Sequence, residues 1–267
     1  MAMKSVSPRP GPVLAALLWL LPSTAWALQP LVTDDTGTQG AGGNQLEAAY
    51  TRTADEAAGV KDTAHEVPLV FTRGVTDTLD IYAGLGYQRI VPSAPAAVER
   101  GWGNPAAGAK WRFHEDEARK LSFALRPEIQ FPVSESKEAR GLGTARASYS
   151  VGLLMTQETG FGAVHVNFVA ERVNYSDDAL NSAERRTLYR LSAAPVWDLA
   201  GRWKLALDAG LMTNPDPAAR ARMGYVELGV IYSPGKDLDL AAGIVRNVMD
   251  GGVTTTQATA GATWRFR

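Results

Sequence analysis

Between Trp203 and Leu211 every second residue is apolar: Trp203, Leu205, Leu207, Ala209 and Leu211. The residues between them are Lys204, Ala206, Asp208 and Gly210. Successive side chains of a β-strand point to opposite faces, so this stretch predicts a strand with one oily face and one polar or very small face. The same period recurs along the chain. It runs through Leu46–Tyr50, Val67–Phe71, Leu79–Tyr87, Ala107–Phe113, Leu121–Phe131 and Ala145–Met155. It continues through Val164–Ala170, Tyr189–Trp197, Val226–Tyr232, Leu238–Ile244 and Ala258–Phe266. With the opening stretch these are about twelve strands, an even count, as single-chain bacterial barrels have. The prediction is an all-β, transmembrane, up-and-down antiparallel β-barrel, oily outside and polar in its bore. Alternation alone also describes a soluble sandwich, so other features must separate the two.

The connections supply one. Those after the even-numbered strands, up to the tenth, read as short, and those after the odd-numbered strands, up to the ninth, as longer; only the link after the eleventh breaks the pattern. Short periplasmic turns and longer outer loops produce this parity when both termini are periplasmic. Aromatic residues supply another. Trp111, Phe113, Trp197, Trp203 and Tyr232 fall beside the short turns, and Trp264 and Phe266 close the last strand. Such placement predicts an interfacial girdle. A terminal aromatic strand is also what the barrel assembly machinery would engage, although here Arg267 follows Phe266. Pro127 lacks the N–H a ladder needs and predicts a local bulge.

The N-terminus reads as an export signal. Lys4 and Arg9 precede the apolar run Val13–Leu21, and Ala25-Trp26-Ala27 has the small-x-small form of a cleavage site. The expected organisation is a cleaved signal at 1–27, a periplasmic lead-in at 28–43 and the barrel at 44–267. A mature chain of about 240 residues leaves about 20 per strand and connection, against the roughly 9–11 that span a bilayer. Asp34 and Asp35 in the lead-in fit no calcium-loop spacing and predict a turn. Cysteine is absent, which excludes disulfides and thiolate chemistry. A formal net charge of −1 provides no electrostatic footprint for nucleic acid. No cofactor is implied.

In an up-and-down barrel, chain order is order around the wall. The inward positions then form a basic wall, Lys110, Arg112, Arg126 and Arg146, between acidic ones: Glu47, Glu66 and Asp80 on one side, Asp208, Glu227 and Asp239 on the other. Such walls would set a field across the bore and orient a polar or zwitterionic solute; alternatively they fill it with internal salt bridges. On this reading Ala209→Arg costs about 2–4 kcal/mol at mid-membrane, while Asp208→Asn matters little.

The segment Pro30–Gly40, PLVTDDTGTQG, followed by Gln45-Leu46-Glu47, resembles the start of a family of outer-membrane barrels named for a putative MetA-like pathway of phenol degradation. That resemblance implies an outer-membrane channel or transporter for small, aromatic or hydrophobic solutes, with outer-membrane lipid around it. Two alternatives differ in class. One is a soluble periplasmic or secreted β-sheet protein that binds ligands. The other is an outer-membrane lipid hydrolase built on His165, Asn167 and a serine such as Ser148 or Ser150. No catalytic or metal-binding set stands out beyond these.

Overall fold

The computed structural model describes residues 30–93, 97–248 and 252–267. The expected signal peptide lies outside them. Twelve long antiparallel strands form a closed barrel. In chain order they are β1 (Asn44–Ala57), β2 (Val60–Gly74), β3 (Leu79–Val91), β5 (Ala106–Asp116), β6 (Leu121–Gln130), β7 (Ser148–Thr159) and β8 (Gly162–Arg172). The rest are β9 (Thr187–Asp198), β10 (Trp203–Thr213), β11 (Arg222–Gly235), β12 (Leu238–Val248) and β13 (Thr254–Phe266). The short β4 (Glu99–Trp102) extends the outer end of β3. Each wall strand pairs with its neighbours in sequence, and β1 with β13 closes the ring.

The exterior is oily. Leu153, Leu207, Leu228 and Ile244 all point outward and are exposed. Aromatics border this band at the short-turn end, where Trp203 meets Tyr232, Trp264 meets Phe266 and Phe161 meets Trp197. A second set, not anticipated from the sequence, lies toward the outer loops: Tyr87 against Trp102, Phe168 against Tyr189, and Tyr50 against His65. Two belts are what the two membrane interfaces require.

Several boundaries differ from expectation. The first outer link is a two-residue turn at 58–59, with Ala58 at φ 50° and Gly59 at φ 80°, rather than a longer loop. There β1 and β2 run on past the oily band, so their outer ends carry no hydrophobic alternation to read. The loop 131–147 holds a one-turn helix, α1 (Glu135–Glu138), and the loop 173–186 holds α2 (Asp178–Ala183), whose first turn is capped by the Asp177 carboxylate. Arg146 is not a lumen residue. It is exposed in the loop before β7, because the preceding N–H of Ala145 is taken by the Glu138 carboxylate instead of a ladder partner. The bulge is displaced too. Pairing between β5 and β6 keeps one register on both sides of Pro127 and shifts between Arg112 and His114. Pro127 only interrupts the ladder on one side, and Pro68 and Pro195 do the same in theirs.

Candidate functional site in the lumen

The lead-in is not a free periplasmic segment. It enters the barrel at the short-turn end and climbs the inner wall to about mid-height. Near the entrance, the Gly42 N–H donates to the Gly74 carbonyl and the Gly74 N–H to the Gly43 carbonyl, and the Gln39 N–H donates to both oxygens of Asp80 on β3. Further in, the Thr36 N–H donates to Thr156 on β7, and its hydroxyl meets Ser122 on β6 at 2.6 Å. The Asn167 amide on β8 pairs with the backbone of Asp34, accepting from its N–H at 2.6 Å and donating to its carbonyl at 3.0 Å. Thr33 donates through its N–H (2.7 Å) and hydroxyl (2.8 Å) to the Asp208 carboxylate on β10, and the Val32 N–H reaches Glu227 on β11 at 3.2 Å.

The tip is apolar. Leu31 packs with Ala194, Val196 and Ala206 in a small buried cluster. Pro30 rests on Gly229 and Gly243 of β11 and β12, where an added Cβ would lie 2.8 and 2.9 Å from its ring. An extended segment has no internal hydrogen bonds, so its N–H groups need partners inside the bore. The wall supplies carboxylates and hydroxyls at successive heights.

The predicted charged walls meet the segment from two sides. Asp34 is held at 3.0 Å by Lys110 and at 3.5 Å by Arg126, while Lys110 also reaches the Asp35 carbonyl. Arg126 additionally lies 3.5 Å from Glu128 and over the Tyr82 ring. The basic strands β5 and β6 thus take the segment's carboxylate, and the acidic strands β10 and β11, across the ring, take its N–H groups. Asp35 closes a tight turn onto the Gly37 N–H, as its Asp-Gly-rich context predicted.

The remaining predicted wall residues are dispersed. Arg112 binds the Asp77 carbonyl and Glu115 near the short turns, and Asp239 pairs with Arg265 at 2.8 Å. Glu47 is buried beside the lead-in, and Glu66 is half-buried against Gly86. The hydrolase set is not assembled. His165 bonds Thr156, whereas Ser150 pairs with Glu171, six residues and roughly 20 Å further along the strands. Among the described residues no acidic or histidine cluster could hold a metal.

Two cavities flank the segment. The inner one, about 310 Å³, is polar and lined by Asp34, Asp35, Glu47, Asp80, Lys110 and Arg126 among others. The outer one, about 70 Å³, opens beyond Val32; apolar side chains such as Val169, Leu188 and Met212 line it together with Arg190, Glu171, Tyr225, Asn247 and Gln257. Reading by faces missed Tyr225, whose hydroxyl supplies the third hydrogen bond to Asp208, and the glycine floor under Pro30. Inward glycines on adjacent strands were the available signal.

Over the outer mouth, Glu138 ties two loops together. Its carboxylate accepts from Ala145 N, Ser176 N and Oγ, and Asp177 N. Partial burial opposes its charge, but these bonds prevail and hold its pKa below the ordinary value. Glu184, between α2 and β9, goes the other way. Burial, and then the Asp216 carboxylate, push it up to about 7.

Comparison with known proteins agrees with this architecture. A model of the family described as "Putative MetA-pathway of phenol degradation" matches residues 28–266. An outer membrane channel from Pseudomonas putida F1 superposes with a TM-score of 0.72 at 16% identity, over 87% of this chain and 98% of that one. The NanC porin gives 0.58 at 9% identity, over 81% and 98%, and the KdgM porin 0.51 at 8%, over 83% and 99%. No curated protein sequence matches.

Proposed function

The chain belongs to the family described as the putative MetA-pathway of phenol degradation, and we propose that it is an outer-membrane channel for small solutes whose conductance is set by its own lead-in. One observation carries this reading. A closed barrel with an oily exterior holds a segment through its bore, bonded to opposite walls, with a cavity on either side. A barrel of twelve strands lies between the eight that wall side chains can fill and the sixteen or more that leave an aqueous channel. A single extended strand narrows such a bore without closing the barrel. The apolar lining of the outer cavity and the family description support solutes with an aromatic or hydrophobic body. Lipid surrounds the barrel between its two belts, and β13, ending in Trp264 and Phe266, is the strand offered to the assembly machinery.

Planar-bilayer recording of the refolded mature protein, beside a variant lacking residues 31–41, tests the proposal. Small steps are expected from the full chain and steps several-fold larger from the deletion. Absence of current from both would sink it.

A further inference from the structure

We propose that the outer cavity is a binding site for the carboxylate of a small monoacid with an apolar body, and that Arg190 is the group that receives it. This rests on the channel reading for its purpose, though not for its chemistry.

Arg190 projects inward from β9 two residues from Ser192, where Thr33 is bonded, shares a cavity with Val32, and is only 9% exposed. Among the described residues its guanidinium makes no hydrogen bond or ion pair within reach, and its Nε is buried without a partner. Asp208 is within its electrostatic range, but the oxygens of Asp208 are already taken by Thr33 and Tyr225. Among the described residues the buried cations beside the lead-in have carboxylate partners. Lys110 and Arg126 hold Asp34. An unpaired buried guanidinium is expensive unless an anion arrives.

The surroundings say what kind of anion. Val32, Val169, Leu188, Met212 and Val245 line the same cavity, so whatever carries the charge should present hydrocarbon beside it. A planar carboxylate matches the guanidinium fork with two parallel bonds. The volume, about 70 Å³, holds roughly two waters. It admits the carboxylate and the first carbons, with the rest of the body toward the open mouth. Glu171 lies two pairs further out, opposite Leu188, and lines the same cavity, and a second carboxylate at that height would meet it. The site therefore selects monoacids over diacids.

Benzoate and the neutral isostere benzamide are the probes, titrated calorimetrically against the full-length barrel in detergent, with parallel permeation into proteoliposomes. Wild-type protein should bind benzoate at least about tenfold more tightly than benzamide, and phthalate more weakly than benzoate. Arg190→Gln should bring benzoate down to benzamide. Arg190→Lys, which keeps the charge without the fork, should fall between and serves if the glutamine variant does not fold. Equal wild-type affinity for benzoate and benzamide, or a preference that survives Arg190→Gln in folded protein, overturns the assignment. Selective binding without permeation of either probe would uphold the site and sink the channel reading instead.

Discussion

Asp208→Asn is the sharpest probe of the seated lead-in. Face assignment alone makes the change nearly silent, because an inward polar residue is replaced by another. The geometry gives a different answer. Asp208 is fully buried and accepts three hydrogen bonds, from the Thr33 N–H, the Thr33 hydroxyl and the Tyr225 hydroxyl, at 2.7, 2.8 and 2.9 Å. The isosteric amide keeps one oxygen, so one donor must face an NH₂ group. A hydrogen bond to a charged group contributes about 1.5–3 kcal/mol. Water in the bore recovers part of that, which leaves about 1.5–2 kcal/mol. That is roughly a 10- to 30-fold rise in the unseated fraction of the lead-in. The chain contains no cysteine, so a single Leu31→Cys reports cleanly. Leu31 is buried when the tip is seated, and its reaction with a membrane-impermeant maleimide counts unseated molecules. The reaction should accelerate by that factor in Asp208→Asn. A rate within twofold of the parent, with the barrel intact, would refute the claim that this carboxylate anchors the segment.

Three further outcomes are expected. Gly243→Val should displace the tip, since even its Cβ would lie 2.9 Å from Pro30; larger single-channel steps check this, and unchanged steps count against the glycine floor. Ala209→Arg, on the lipid face beside Asp208, should lower folding stability by about 2–4 kcal/mol in lipid-vesicle urea titrations. No loss there would contradict the outward assignment of that face. Glu184 has a folded pKa of about 7 against an ordinary 4.5. The folded loop therefore holds its proton more tightly, and its stability falls as pH rises from about 4.5 through 7. Glu184→Gln should slow proteolytic nicking of the 173–186 loop at pH 8 and leave it unchanged at pH 4; equal effects at both would rule out the titration.

The sequence determined the wall of this protein. Alternation is a local consequence of strand geometry, so Leu205, Leu207 and Ala209 declare an oily face without knowing their neighbours. The strand count, the inward placement of Lys110, Arg126, Asp208 and Glu227, and the aromatic belt beside the short turns all follow from that one period. Where both faces are wet, as in the outer ends of β1 and β2, or where a side chain replaces a ladder bond, as at Ala145, the period falls silent and boundaries were misread. The contents of the bore were decided only by tertiary structure. Residues 30–43 have no repeat, and the wall carboxylates of Asp80, Asp208 and Glu227 that hold them lie 41, 175 and 195 positions away. A contact between an extended backbone and a scattered set of carboxylates, hydroxyls and glycines leaves no periodic trace in either partner. Closure of the ring is what brings β5 and β6 opposite β10 and β11, fits one strand between them, and leaves the buried Arg190 Nε without a hydrogen-bond partner among the described residues.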